Sequence, residues 1–314
     1  MGALCQLIFG ERRGFMKIFY KFLLVLITLS SILGLVYFYY VSTTNENQNF
    51  EPPNEPTAQS PMETNLTRND EGDCVEEDFN KETTVTQDGW VLVWQDEFEG
   101  NCLDSSKWNL EDWAAEKNNE LQYYSPNNVK VEDGVLKLIS KKELFKGKDY
   151  TSGAVHTQGK FAFLYGKAEM RAKLPAGQGM FPAFWMMPDK ENTWLPEIDI
   201  LEMLGHQPDQ IWMVSHWLGE DGKLKSVSDT FKGPDFSKDF HTFSIEWTPD
   251  SITWLIDDIE RFTINRNIPS EKMYLYLNTA VGGNWPGSPD QTTFFPVSFE
   301  IDYVRVYKGN GEGG

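Results

Sequence analysis

From Trp90 onward, apolar and polar residues alternate in short runs. Residues 91–98, 134–140, 160–174, 181–188, 197–204, 241–249, 251–258, 274–281 and 297–308 are rich in β-branched and aromatic side chains. Many of these runs are apolar at every second position. Successive side chains of a strand leave opposite faces, so the pattern predicts strands with one buried side. Turn-forming stretches separate the runs, among them Glu132-Asp133-Gly134, Pro175-Ala176-Gly177-Gln178-Gly179 and Pro249-Asp250-Ser251. No amphipathic helix of useful length stands out in this region, and no repeat is visible. Short strands with regular turn signals predict an all-β sandwich in one domain spanning 88–309.

One run departs from strict alternation. In Glu197-Ile198-Asp199-Ile200-Leu201-Glu202, the acids Glu197 and Asp199 share one face and Ile198 and Ile200 the other. A regular strand would put Glu202 with the isoleucines, inside the core, where a lone carboxylate is costly. A β-bulge near Ile200-Leu201 returns it to the face of Glu197 and Asp199. Three acids on one solvated face would repel one another. The surroundings supply aromatic and thioether side chains rather than lysines: residues 180–188 and Trp194 precede the acids, and His216-Trp217 follow. Carboxylates beside stacking aromatics are what a sugar-cleaving cleft requires.

The N-terminal part reads differently. Residues 22–41 carry no charge and are long enough to cross a bilayer of about 30 Å as a helix. Arg12, Arg13, Lys17 and Lys21 precede the run, and no Lys or Arg follows until Arg68. That asymmetry predicts a cytoplasmic segment 1–21, a signal anchor 22–41 and an extracytoplasmic remainder. A cleaved signal peptide is the rival reading. Either way the domain is exported, membrane-anchored or secreted. Residues 42–87 are rich in Asn, Pro, Thr and Glu and poor in large apolar residues, which predicts a disordered acidic linker. Asn65-Leu66-Thr67 is a glycosylation acceptor pattern. Of three cysteines, Cys5 precedes the apolar run, whereas Cys74 and Cys102 lie beyond it, where a disulfide between them is expected. The net charge of −19 excludes nucleic acid as a partner and favours a neutral glycan over an anionic one.

Seven blocks, in order, resemble glycoside hydrolase family 16, and within it the laminarinase-like endo-β-1,3-glucanases. They are Trp94-Gln95-Asp96-Glu97-Phe98, Asn119-Glu120-Leu121-Gln122-Tyr123-Tyr124, Tyr165-Gly166-Lys167-Ala168-Glu169-Met170-Arg171, Phe184-Trp185-Met186, the acidic run 197–202, Val281-Gly282-Gly283-Asn284-Trp285-Pro286-Gly287 and Ile301-Asp302-Tyr303-Val304-Arg305-Val306-Tyr307. The resemblance implies a β-jelly roll of two curved antiparallel sheets with a β-glucan in a cleft. It implies Glu197 as nucleophile, Glu202 as general acid and then base, and Asp199 as their tuner. Carboxyls about 5–5.5 Å apart would make the enzyme retaining. It also implies a structural Ca²⁺ at Glu97, Gly134 and Asp302, far from the acids, and no cofactor for catalysis.

Several side chains are candidates for sugar contacts: Trp185, Trp194, Trp217 and Trp285 by stacking, and Asn119, Glu120, Arg171, His216 and Asn284 by hydrogen bonding. Trp90, Trp94, Trp108, Trp247 and Trp254 read as core, and His156 and His241 as structural. The domain is expected to be monomeric. Within the family the same acids serve mixed-linkage glucan, agarose and carrageenan hydrolases and transglycosylases. A non-catalytic glucan-binding protein on the same sandwich is the reading from another class; such relatives typically lose the catalytic glutamates, whereas this chain keeps all three acids, and a wall-anchoring structural module would leave the acid and Trp clustering unexplained.

Overall fold

The computed structural model describes residues 89–309. The apolar run 22–41, the linker, Asn65, Cys5 and Cys74 lie outside the described residues. Cys102 is disulfide-bonded, and the chain's other two cysteines are both outside them.

The predicted sandwich is present. One sheet has eight strands, with the path Ile259–Ile264, Ile252–Ile256, His241–Trp247, Gly166–Lys173, Val297–Gly309, Val135–Ser140 and Val129–Glu132; Trp90–Asp96 also pairs with Val297–Gly309. The second has seven: Leu224–Lys232, Gln210–Leu218, Glu197–Met203, Met180–Pro188, Met273–Val281, Ala154–His156 and Asn109–Leu110. All pairings within both are antiparallel. A small third sheet holds Trp113–Ala114, Gln122–Tyr124 and Tyr150–Ser152.

The core comes from the inward half of each alternating strand. Phe184, Met186, Ile198, Leu201, Met203, Leu275 and Leu277 of the seven-stranded sheet belong to one buried cluster with Met170, Ile245, Trp247, Trp254, Val304 and Val306 of the other. Met273–Val281 is buried on both faces along its whole length, because its outward side chains lie beneath the cleft and the rim loops. Trp108, Trp247 and Trp254 are core, as expected, while Trp94 packs partly buried against it.

Several strands lie outside the predicted runs, among them Val129–Glu132, Ala154–His156 and Ile259–Ile264. Gln210–Leu218 and Leu224–Lys232 are full strands that apolar patterning alone did not single out. Leu224–Lys232 is an edge strand of mostly exposed Ser, Asp, Thr and Lys; its inward side rests on Val227 and Phe231, four residues apart with Asp229 between them, which is too sparse an alternation to reveal it. In the run 160–174 only Gly166–Lys173 is a strand; Phe161 and Phe163 instead stack on each other as the chain enters the sheet.

Candidate active site

The acidic strand Glu197–Met203 sits inside the seven-stranded sheet, between Met180–Pro188 and Gln210–Leu218. Its register jumps. Against one neighbour Trp185 pairs with Asp199 but Phe184 with Leu201, leaving Ile200 as the extra residue. Against the other, Asp199 faces Val214 and Glu202 faces Trp212, so that Ile200 and Leu201 lie opposite the single residue Met213. This is the bulge the misplaced Glu202 demands. Ile200 and Leu201 are both buried, and Glu202 shares the face of Glu197 and Asp199. A bulge leaves backbone groups without ladder partners. Here the indole Nε1 of Trp254, reaching across from the other sheet, donates to the Asp199 carbonyl at 2.8 Å.

The three carboxyls open into a cleft of about 640 Å³ on the outward face of the seven-stranded sheet. Phe181, Ala183, Trp185 and Met187 line it from one strand, and Tyr276, Asn278 and Ala280 from the next, as period-2 alternation requires. The floor is held by a chain of hydrogen bonds. Trp185 Nε1 donates to Asn278 Oδ1 at 2.8 Å, and Asn278 Nδ2 donates to the buried Tyr124 hydroxyl at 2.9 Å. Tyr276 donates to Glu111, which also lines the cleft, at 2.9 Å. His156 stacks on Tyr276 with ring centroids 5.6 Å apart. His156, the cross-strand neighbour of Tyr276, therefore supports a cleft residue from its side, a role beyond the structural one expected for it.

Burial dominates the electrostatics. It pushes the Glu197 carboxyl up to about 7, partly offset by a hydrogen bond from Asp199 and by the positive field of Lys117. Burial and repulsion from Glu197 push Glu202 up to about 8. Asp199 is raised well above the ordinary carboxylate range by burial and then by both neighbouring glutamates. Glu202 is thus the more readily protonated of the two glutamates, and Glu197 the more readily ionised. His216 lies across from Glu197, with Nε2 at 3.4 Å from Asp199 Oδ2 and 4.0 Å from Glu197 Oε1. Burial lowers its pKa, favouring neutral imidazole.

Of the side chains expected to touch sugar, Glu120, Trp185 and Trp194 line the cleft, Trp194 being 45% exposed. Asn119 and Asn284 hydrogen-bond each other at 2.7 Å and join two rim loops. Trp285, 41% exposed, stands edge-on to Phe181 and Trp212. Gly282 makes this joint possible: its φ is +70°, and a Cβ there would meet the Leu121 side chain at 2.5 Å.

Two expectations are overturned. Arg171 is not in the cleft. It lies on the outer face of the eight-stranded sheet, because its neighbours Met170 and Ala172 fill the core side, and it pairs with Asp302. Trp217 alternates to the face opposite Glu197 and His216; Trp212, the cross-strand partner of Glu202, is the aromatic on the acids' side. Sequence reading missed Trp212, Tyr276, Asn278, Glu111 and Lys117. Period-2 counting back from His216 reaches Trp212 and was the available signal for it. Lys117 and Glu111 come from loops with no period.

The positions implied for calcium lie apart from this cleft. The Glu97 carboxylate receives a two-pronged contact from Arg305, at 2.7 Å for each nitrogen. The ligands expected from Glu97 and Gly134 are main-chain carbonyls, the latter in a turn with φ +73°, and Asp302 offers the one carboxylate of the set. Oxygen donors suit Ca²⁺, but the ion would have to draw Asp302 away from Arg171.

Comparison with known proteins adds to this geometry. The model of glycosyl hydrolases family 16 matches residues 116–305. A second model, for beta-glucan synthesis-associated protein SKN1/KRE6/Sbg1, matches residues 3–191. A beta-glucanase of Rhodothermus marinus is 35% identical over 70% of this chain and 85% of its own. A glucan endo-1,3-beta-glucosidase of Cryptopygus antarcticus is 38% identical over 70% of this chain and 93% of its own. Among solved structures, the laminarinase catalytic domain of Thermotoga maritima superposes with a TM-score of 0.65 at 38% identity, covering 70% of this chain and 98% of that domain. The sandwich is therefore the β-jelly roll of those laminarinases.

Proposed function

The chain belongs to the family 16 glycosyl hydrolases, and we propose that it is a retaining endo-β-1,3-glucanase that cuts laminarin-type glucan by double displacement. The observation that carries the reading is the bulge at Ile200. It turns an acidic strand into three converging carboxyls on the floor of an aromatic cleft. No cofactor is needed for this chemistry.

Glu197 attacks the anomeric carbon as a carboxylate. Its ionisation is favoured over that of Glu202 by Lys117 and by the hydrogen bond from Asp199. Glu202, kept protonated by burial, gives its proton to the departing glycosidic oxygen. The glycosyl unit is then an ester of Glu197. Glu202, now ionised, takes a proton from a water that attacks the same carbon, and Glu197 leaves as a carboxylate. Inversion twice gives net retention. Asp199 holds Glu197 in place and, as a buried acid beside it, passes a hydrogen bond rather than a second charge. Trp185 and Trp194 offer ring faces for glucose units, and the joined rim loops around Trp285 close one side. The preference for β-1,3 bonds is supported by the Cryptopygus and Thermotoga relatives named for that linkage or for laminarin.

A second reading is favoured by the match to proteins associated with beta-glucan synthesis: the ester on Glu197 is passed to a sugar hydroxyl instead of water. Product analysis separates the two. Short β-1,3 oligomers from laminarin, and none from lichenan, agarose or xyloglucan, establish the first reading. Products longer than an added oligosaccharide acceptor establish the second. Activity confined to another polymer refutes both. We extend the reading to location: residues 22–41 hold the domain on the outer side of a membrane, or release it after cleavage. Immunoblots of membrane and medium fractions distinguish these, and protein confined to the cytosol refutes both.

A further inference from the structure

Glu197, Asp199 and His216 each offer one ligand atom, and the three atoms lie within 4.8 Å of one another. Asp199 is 2% exposed, and its Oδ2, directed at His216, meets no N–H or hydroxyl donor. A buried carboxyl oxygen without such a donor is costly, and a cation that displaces the Asp199 proton and reaches that oxygen would satisfy it. Tetrahedral zinc, with bonds of about 2.0–2.2 Å to nitrogen and oxygen, holds neighbouring ligand atoms about 3.4 Å apart. His216 Nε2 and Asp199 Oδ2 are already 3.4 Å apart, and Glu197 Oε1 is at 4.0 Å from the same nitrogen, a small rotamer adjustment away. Charge favours a dication as well. Glu111, Glu120 and Glu202 line the same cleft as Glu197 and Asp199, and among its described lining residues Lys117 is the one Lys or Arg.

We propose that Glu197, Asp199 and His216 form a transition-metal site, best matched to Zn²⁺, whose occupancy blocks glycan hydrolysis. The imidazole ligand selects against Mg²⁺ and Ca²⁺, which take oxygen donors. Three protein ligands leave a fourth position for water or a sugar hydroxyl. His216 Nδ1 has no hydrogen-bond partner, so the imidazole lacks the outer-shell acceptor that usually strengthens a metal-bound histidine. The ion should therefore come off readily to a chelator. A reversible metal block is a means of silencing the acids without unfolding the domain.

The test uses Co²⁺ as a coloured substitute for zinc, on the purified full chain. One equivalent should give the visible absorption of tetrahedral cobalt. Zn²⁺ should abolish it and Ca²⁺ should not. His216→Gln and Glu197→Gln should each lose it while keeping the parent's circular dichroism. In parallel, Zn²⁺ should inhibit competitively with glucan and EDTA should restore the rate. The inhibition constant in His216→Gln, measured against that variant's own uninhibited rate, should rise about tenfold or more. The absorption measurement does not depend on which glucan is cleaved. No cobalt spectrum, a spectrum surviving in His216→Gln, or a thiolate-to-cobalt band pointing to cysteine would overturn the proposal.

Discussion

Replacing Glu202 by Gln should stabilise the protein at alkaline pH while abolishing its activity. Burial and the neighbouring Glu197 raise the Glu202 carboxyl from its ordinary 4.5 to about 8. The sign follows from proton binding. Between those two values the folded state holds a proton that the unfolded chain has released, so stability falls as pH rises. The contribution is fully present below about pH 4.5, is lost progressively up to about pH 8, and stays lost above. At about 1.4 kcal/mol per pH unit, the whole window corresponds to roughly 5 kcal/mol. The side chain faces a cleft open to water and is only part-buried by surface area, so screening reduces the figure. We expect Glu202→Gln to gain about 2 kcal/mol over the parent near pH 9 and close to nothing near pH 4. For a domain of this size that is a Tm difference of roughly 4–8 °C at the alkaline end. Thermal unfolding of both proteins across the pH range, taken as a difference, isolates the effect from other titrating groups. A Tm difference that is constant with pH, or one largest in acid, would refute the reasoning. Hydrolysis should fall by orders of magnitude, since Gln cannot donate the leaving-group proton.

Other outcomes follow from the same geometry. The pH profile of kcat/KM should be bell-shaped. Its acid limb, near 7, reports Glu197 losing its charge as pH falls, and its alkaline limb, near 8, reports Glu202 losing its proton as pH rises; an acid limb near the ordinary carboxylate value would contradict this. Trp254→Phe strands the buried Asp199 carbonyl at the bulge, so it should cost about 1–3 kcal/mol in unfolding experiments and lower kcat as well. Asn278→Ala removes the acceptor that fixes Trp185, and steady-state kinetics should show KM rising more than kcat falls. Gly205→Ala should destabilise the chain just beyond the acidic strand, because a Cβ there would meet the Gly177 carbonyl oxygen at 2.4 Å; an unchanged Tm would argue against the tight crossing.

Much of the site can be read along the chain because strand geometry is local. Alternation places Glu197 and Asp199 together, and the misfit of Glu202 carries the bulge with it. The cost of burying a carboxylate is the same wherever the strand lies, so the inference needs no partner strand. The same rule, applied to His216-Trp217, already forbids both from facing the cleft, and the expectation for Trp217 did not use it. Trp217 sits one residue after His216, and one residue is enough to change faces. Arg171 was misplaced for a different cause: alternation says which strand faces are shared, but not which of two sheets a strand joins.

The sequence by itself determined the alternating strands, the bulged acidic run, the acidic balance and, through its ordered blocks, the family. These depend on local periodicity and on the free energy of burial. Tertiary structure alone decided which side chains surround the acids. Lys117, Glu111 and Tyr276 reach the cleft from segments far apart in the chain, and Trp254 reaches the bulge from the opposite sheet. Their convergence sets how strongly each carboxyl holds its proton, because desolvation and charge–charge repulsion act through space and not along the backbone.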